Sequence, residues 1–434
     1  MSRLWIAGTA AALAAAVLGL GGVLRSSGAA APERPRAAAA VLASGFAAGD
    51  TTALVTQLQN AVRREPRNVR DLGLLGLAYQ QRARETGDPS WYPKSAGILA
   101  RAAAIAPRDL TVTSGLGSLE LSRHRFAEAL GFGRRAVALA PSSAAGYGIL
   151  GDALVELGRY DAAFRAFNTM ARLKPSVASY ARVAYARELR GDWLGAVEAM
   201  RLAGSAAAAR QEPTAWVHAQ LGKLFWNRGR YARAAKEYRA ALAAFPGYVY
   251  ALDGLAQVAA AQGRLSRAAA LERRAQETIP LPQFVGFLAE VERAAGHERA
   301  ARRSDALIGV IDRVLRANGV RTDLELALIR ADRGVAPEQT LALARRAQKA
   351  RPSIDGDDVL AWALARNGRC TEALGHSRRA LRLGTRDALK FFHRGMIERC
   401  LGDALAARVW FRRALALNPH FSVRWSPVAR RYAS

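Results

Sequence analysis

The chain has 434 residues and a formal net charge of +28, because 64 Lys and Arg residues stand against 36 Asp and Glu residues. Hydrophobic residues make up 51% of the sequence but aromatic residues only 7%, and no long stretch alternates polar and apolar residues as a β-strand requires. These values exclude a β-sheet protein and favour helices with thin, alanine-rich interfaces. The charge predicts a surface that attracts polyanions at low salt.

The chain begins with an apolar segment. Residues 4–24 form an uncharged run of 21, enough to cross about 30 Å of hydrocarbon. We therefore predict a hydrophobic helix within residues 1–25, acting as a single-pass membrane anchor or as a signal peptide that is cleaved at the small residues that follow. Residues 26–50 are expected to be a flexible linker. This pattern favours a membrane-anchored or secreted protein whose body lies outside the cytoplasm.

A turn signature then recurs along the chain, as in Gly158-Arg159-Tyr160 and Gly229-Arg230-Tyr231. The turns fall at positions 124, 158, 191, 229, 263, 296, 334, 368 and 402, with intervals of 33 or 34 residues and two of 38. A period of about 34 residues is typical of helix-turn-helix repeats that stack into a solenoid. The longer intervals predict extra loop or helix near residues 205–213 and 319–323.

Three residue positions repeat with the turns: a small residue seven positions before most of them, an alanine shortly after, and a proline at the end of the second helix. Examples are Gly151, Ala163 and Pro175. Over residues 51–421 this pattern resembles the tetratricopeptide repeat (TPR) family. The resemblance implies an all-α fold, a right-handed superhelix of about ten repeats, with residues 422–434 as a C-terminal capping helix.

The resemblance also implies where a partner binds. In this family the first helices line the concave face, and their exposed positions lie about thirteen, six, three and two residues before the turn. In the middle of the array, counting back from the turns selects Asp152, Glu156, Tyr185, Glu188, Trp216, Lys223, Trp226, Asn227, Tyr250 and Gln257. Aromatic and hydrogen-bonding side chains in a groove suit a partner peptide or helix. The alternative is that Trp216 and Trp226 pack against adjacent helices.

No catalytic or metal-binding motif is recognisable, and the six histidines are scattered. We therefore expect neither an enzyme nor a cofactor. The acidic cluster of Asp355, Asp357 and Asp358 is expected to cap a helix start rather than to bind a cation.

The two cysteines, Cys370 and Cys400, fall at helix ends that neighbour each other in stacked repeats. A disulfide between them is geometrically allowed and would agree with an oxidising compartment; two buried thiols are the alternative.

Of the 64 cationic residues, 58 are arginines, and pairs of them recur late in the second helices. The pairs are Arg134-Arg135, Arg273-Arg274, Arg345-Arg346, Arg378-Arg379 and Arg412-Arg413. A stripe of this kind reflects either compositional bias or a surface for nucleic acid, anionic lipid or an envelope polymer. The favoured function is a non-enzymatic scaffold that binds a protein partner at or outside the membrane, and polyanion binding is the alternative.

Overall fold

The computed structural model describes residues 51–207 and 212–434, and within those ranges it contains 22 α-helices and no strand. Their bounds are α1 Thr52–Arg64, α2 Val69–Thr86, α3 Trp91–Ile105, α4 Leu110–Ser122, α5 Phe126–Leu139, α6 Ala144–Glu156, α7 Tyr160–Leu173, α8 Val177–Leu189, α9 Trp193–Ser205, α10 Glu212–Trp226, α11 Tyr231–Ala244, α12 Val249–Ala261, α13 Leu265–Thr278, α14 Pro282–Ala294, α15 Glu298–Ala317, α16 Asp323–Arg333, α17 Pro337–Ala350, α18 Ile354–Arg366, α19 Cys370–Ala380, α20 Ala388–Cys400, α21 Ala404–Leu417 and α22 Trp425–Ala433. After α1, the helices form ten helix-turn-helix pairs, from α2 with α3 to α20 with α21, and α22 packs against α21.

The predicted N-terminal helix and linker, residues 1–25 and 26–50, lie outside the described residues. Among the residues that the structure does describe, no helix combines the length and the apolar character needed to span a bilayer.

The turn positions found in the sequence are confirmed. Each of the nine has a positive φ, from 56° at His124 to 85° at Gly402. A left-handed residue there ends the first helix of a pair and reverses the chain, which is why glycine occupies eight of these positions.

Small residues in the first helices allow the paired helices to approach closely. A Cβ atom added to Gly222 would lie 2.6 Å from the Tyr238 ring, and one added to Gly395 would lie 2.7 Å from the Phe411 ring. The aromatic ring of the second helix therefore occupies the space that a larger side chain would need. This geometry explains why the small position recurs with each repeat.

The second 38-residue interval is accommodated largely by a longer helix. Helix α15 has 20 residues, whereas α13 and α17 have 14 each. At the first long interval, α9 ends at Ser205 and α10 begins at Glu212, with residues 208–211 outside the described part of the chain.

The solenoid coils until its later repeats touch its earlier ones. Five consecutive turns, at residues 87, 124, 158, 191 and 229, meet five consecutive junctions between pairs, around residues 279, 321, 352, 384 and 418. The residues joined by side-chain hydrogen bonds across this row, which we call the seam, are 187 to 197 residues apart along the chain. One superhelical turn therefore takes between five and six helix pairs.

The seam is held by polar contacts to backbone groups. The Ile354 N–H donates to the Tyr160 hydroxyl at 2.7 Å, and the Asn418 side-chain amide donates to the Trp226 carbonyl at 2.8 Å. The Thr385 hydroxyl donates to the Leu189 carbonyl. Because backbone groups at helix ends lack partners within their own helix, these bonds satisfy them and fix one superhelical turn against the next.

Candidate functional site

The residues predicted to bind a partner differ in their exposure to solvent. The buried ones are Asp152, Glu156, Trp216, Trp226 and Gln257, and the half-buried ones are Tyr185, Glu188, Lys223, Asn227 and Tyr250. Trp216 and Trp226 are 3% and 5% exposed and belong to one hydrophobic cluster, so packing accounts for most of their surface. Partner binding by this set stays a prediction.

Two of the inner carboxylates are paired with buried arginines. Arg182 binds Asp152 through two parallel hydrogen bonds of 2.9 and 2.6 Å, and both side chains are almost inaccessible to solvent. Burial raises the pKa of Asp152 to about 6, and the Arg182 charge opposes that rise. A bidentate pair in a dry environment is directional, so it fixes the register of α6 against α8.

The second buried pair crosses the seam. The Arg351 guanidinium binds Glu156 of α6 and also lies 3.2 Å from Glu325 of α16. Burial lowers the pKa of Arg351, but Glu156, Glu325 and Asp355 outweigh it and hold that pKa above its usual range. The guanidinium is therefore charged at every physiological pH and links the two superhelical turns.

Between the first and second superhelical turns lies a cavity of about 180 Å³, which we call the interior cavity. Its walls come from α2, α3, α10, α12, the α13–α14 junction and the α15–α16 region. The aromatic lining residues are Tyr92, Trp216, Tyr248 and Tyr250, and the principal polar ones are Arg84, His124, Glu212, Gln220 and Glu325. Several aromatic faces and a few converging polar groups are the usual composition of a ligand-binding cavity.

Arg84 and Glu212 give the interior cavity its electrostatic character. Burial raises the pKa of Glu212 to about 7, partly offset by Arg84, and burial lowers the pKa of Arg84, with Glu212 opposing that change. The Arg84 Nε atom is buried without a hydrogen-bond partner. An unpartnered guanidinium N–H beside a carboxyl that protonates near neutrality is a site at which an incoming anion would be favoured.

The other predicted residues belong to different spaces. Asp152, Tyr185, Glu188 and Trp216 line a small gap of about 20 Å³ beside the interior cavity. Trp226 and Gln257 line a separate pocket of about 200 Å³ beside the C-terminal segment. The structure thus brings Trp216 and Tyr250 into one cavity, and the other predicted residues do not line it.

Counting back from the turns selects Trp216 and Tyr250 of the interior cavity but misses other residues that line it. Arg84 lies three residues before Gly87, which is one of the family's inner positions in the first pair, but the lengthened turn there hides the register. Glu212 is the first residue of α10, and no repeat position selects it; the same holds for Arg351, which follows α17 and lies outside the interior cavity.

The acidic cluster lies at the start of α18, with Asp355 and Asp357 in the first turn, where their charge complements the helix dipole. The capping hydrogen bond itself comes from Ser353, which accepts from the Gly356 N–H, so the prediction that the carboxylates cap the helix was wrong in that part. Instead each Asp binds a cationic or imidazole side chain. The pairs are Asp355 with Lys390, Asp357 with His376, Arg379 and Arg382, and Asp358 with His393. Across the described ranges, no cluster of His, Cys, Asp and Glu is arranged to hold a metal ion.

Cys370 and Cys400 are joined as a disulfide, with Cα atoms 6.0 Å apart. The bond links the start of α19 to the end of α20, helices of adjacent pairs.

All ten arginines of the predicted stripe are exposed on second helices. Some of them have structural partners: Arg135 donates to the Pro107 carbonyl, and Arg412 to the Ala433 carbonyl.

Residues 144–177 and 220–281 match family models described as tetratricopeptide repeat. The chain therefore contains tetratricopeptide repeats, and the predicted resemblance to the TPR family is confirmed. Its matched stretches begin at α6 and within α10, and the same pair architecture extends over the other described repeats. TPR folds serve protein–protein interaction, and their members are typically non-enzymatic scaffolds.

Several solved structures are similar to the chain at low sequence identity. A tetratricopeptide repeat protein from Parabacteroides merdae is 16% identical, covering 55% of this chain and 87% of that chain with a TM-score of 0.41. The human IFIT1 dimer with m7Gppp-AAAA is 14% identical, covering 94% and 95% with a TM-score of 0.48. YrrB, a TPR protein with an unusual peptide-binding site, is 18% identical, covering 43% and 94% with a TM-score of 0.29. No curated protein matches the sequence.

Proposed function

We propose that this TPR protein is a non-enzymatic scaffold that binds the carboxyl-terminal end of a partner peptide in the interior cavity. The observation that carries the proposal is the unpartnered Arg84 Nε atom among the aromatic side chains of Tyr92, Tyr248 and Tyr250. A terminal carboxylate is a planar anion that a guanidinium binds well. Aromatic rings beside it supply rigid apolar contact for the last side chains.

The size of the interior cavity decides between a helix and an extended end. A helix with its side chains is about 10–12 Å across, which a space of about 180 Å³ does not admit. One or two residues of an extended chain do fit such a space. The proposal is therefore narrower than the peptide or helix expected from the family resemblance.

Glu212 sets the condition for binding. Because its pKa is raised to about 7, protonation of Glu212 removes the carboxylate that competes with the ligand for Arg84. We expect tighter binding of a peptide carboxylate at pH 6 than at pH 8.

The test compares two sets of ten-residue peptides, with a free or an amidated carboxyl terminus, drawn from one random library and applied to the full chain. Arg84→Gln removes the guanidinium, and Arg70→Gln is the matched control, since Arg70 is exposed on the same helix. We expect selected peptides to lose at least about tenfold in affinity on amidation and in the Arg84 variant alone. Peptides that bind equally well when amidated would refute the proposal.

We also propose that the repeat body lies outside the cytoplasm, anchored or secreted through its N-terminal segment. The uncharged run of 21 residues and the Cys370–Cys400 disulfide both support this. The measurement is alkylation of thiols in intact cells followed by mass spectrometry. Free, alkylated cysteines in rapidly quenched cells would contradict an oxidising location, and protease protection in intact spheroplasts would place the body inside.

Polyanion binding through the arginine stripe is the second candidate, favoured by the exposure of all ten paired arginines. Affinity for a nucleic acid or an anionic vesicle should then fall steeply with ionic strength. Binding that does not change between low and high salt would eliminate this candidate.

A further inference from the structure

A broad groove lies at the seam and shares no lining residue with the interior cavity. It has a volume of about 1050 Å³, larger than the about 300–1,000 Å³ of typical small-molecule pockets. The α8–α9 and α10–α11 turns form one wall, and the α19–α20 loop with α20 and α21 forms the other. We call it the seam groove. Its size suits a segment of polymer.

The seam groove carries an excess of positive charge. Four arginines line it, Arg228, Arg230, Arg386 and Arg413. The single carboxylate in the lining belongs to Asp192, which accepts a hydrogen bond from the Gly195 N–H as the cap of α9. Burial lowers the pKa of Arg228, and the nearby Arg386 lowers it further. Mutual repulsion of this kind is relieved when an anion binds between the arginines.

The seam groove also has an aliphatic part. Leu194 is 73% exposed, and Leu381, Ala416 and Leu417 line the same space. An exposed leucine beside other aliphatic side chains offers contact to apolar side chains of a partner.

The two tryptophan rings of the seam groove already have guanidinium groups over them, and the third ring, that of Phe391, packs against Trp410 with the ring centres 5.5 Å apart. Arg228 and Arg230 lie 5.8 and 5.2 Å from the centre of the Trp193 ring, and its indole N–H donates to the Leu224 carbonyl at 2.9 Å. Arg413 lies 4.7 Å from the centre of the Trp410 ring. Single-stranded nucleic acids are held mainly by bases that stack on open aromatic faces. The arrangement therefore favours carboxylates and apolar side chains over bases.

We infer that the seam groove binds an acidic, amphipathic peptide segment of a partner protein, with its carboxylates on Arg230 and Arg413 and its apolar side chains on Leu194 and Leu417. Carboxylates pair with guanidinium groups through parallel hydrogen bonds, which fixes orientation as well as affinity. This site is separate from the interior cavity and uses the internal part of a peptide. The TPR protein would thus hold two segments at once, one inside the superhelix and one along the seam.

The experiment selects from a random twelve-residue phage-displayed library on the full chain and then measures the enriched peptides by fluorescence anisotropy. The groove variant carries Arg230→Glu and Arg413→Glu. The matched control carries Arg134→Glu and Arg346→Glu, which makes the same change in net charge at exposed positions outside the groove. Circular dichroism and the melting temperature confirm that both variants fold.

We expect enriched peptides to combine several Asp or Glu residues with Leu, Ile or Phe, and to lose at least about tenfold in affinity on the groove variant while keeping it on the control. They should also bind the Arg84→Gln variant normally, which separates this result from the interior cavity. Enriched peptides that bind both double variants equally would overturn the inference. A twelve-nucleotide oligouridine that binds more tightly than the peptides, with loss on the groove variant, would overturn it in favour of single-stranded nucleic acid.

Discussion

Replacing Gly158 by alanine tests whether the seam stabilises the superhelix. Gly158 has φ of +69°, and an added Cβ atom would press into the carbonyl oxygen of Pro352 in the next superhelical turn. Gly368 is the matched control, because its φ is +74° and an added Cβ atom would meet nothing within 4 Å. Both variants carry the same backbone penalty of about 1–2 kcal/mol for a left-handed alanine.

The difference between the two variants measures the seam. Steric crowding against backbone typically costs about 1–3 kcal/mol, so Gly158→Ala should be less stable than Gly368→Ala by that amount. The loss should appear locally. The Ile354 N–H, at the first position of α18, has no acceptor within its own helix and donates to Tyr160 across the seam.

The assay is amide hydrogen exchange of the peptide that contains Ile354, supported by urea unfolding of both variants. Exchange at Ile354 should be roughly five- to hundredfold faster in Gly158→Ala than in Gly368→Ala, since each 1.4 kcal/mol is a factor of ten. X-ray scattering should show a larger radius of gyration for Gly158→Ala alone. Equal exchange and equal dimensions in the two variants would refute the argument that the superhelical turns hold each other.

Three further outcomes follow from the buried groups. Asp152→Ala should destabilise the protein by about 3–5 kcal/mol in urea unfolding, because it leaves Arg182 buried without its carboxylate, and adding Arg182→Met should recover part of that loss. Reducing the Cys370–Cys400 disulfide, which spans 30 residues, should lower stability by about 3–4 kcal/mol in the C-terminal repeats, and unchanged exchange there would contradict this. Because the folded pKa of Glu212 is raised, the contribution of this side chain to stability is present at low pH and is lost as the pH rises toward about 7. Urea unfolding should therefore show that Glu212→Gln raises the stability of the protein at pH 8 and leaves it unchanged near pH 4. A gain in stability that does not depend on pH would count against this assignment.

Local sequence determines the repeat itself. The glycine at each turn, the small residue that faces an aromatic ring and the proline that ends a second helix act within one pair, so their spacing predicts helices and turns directly. The turn at His124 is found in the same way, although it lacks glycine, because the interval places it. Because the same packing between neighbouring helices is repeated along the chain, the residues responsible for it recur at a regular spacing in the sequence.

The interior cavity, the seam and the seam groove depend on how small rotations between successive pairs add up. Arg351 and Glu156 are 195 residues apart, and no local pattern relates them. Their contact exists because one superhelical turn closes after five to six pairs, an angle set by side-chain volumes at every helix interface together. For the same reason, counting back from the turns selected Trp216 and Tyr250 but not Glu212, which lines the same cavity. The sequence alone therefore determined the repeated unit, and only the tertiary structure decided which distant residues face each other, because curvature accumulates over the whole array.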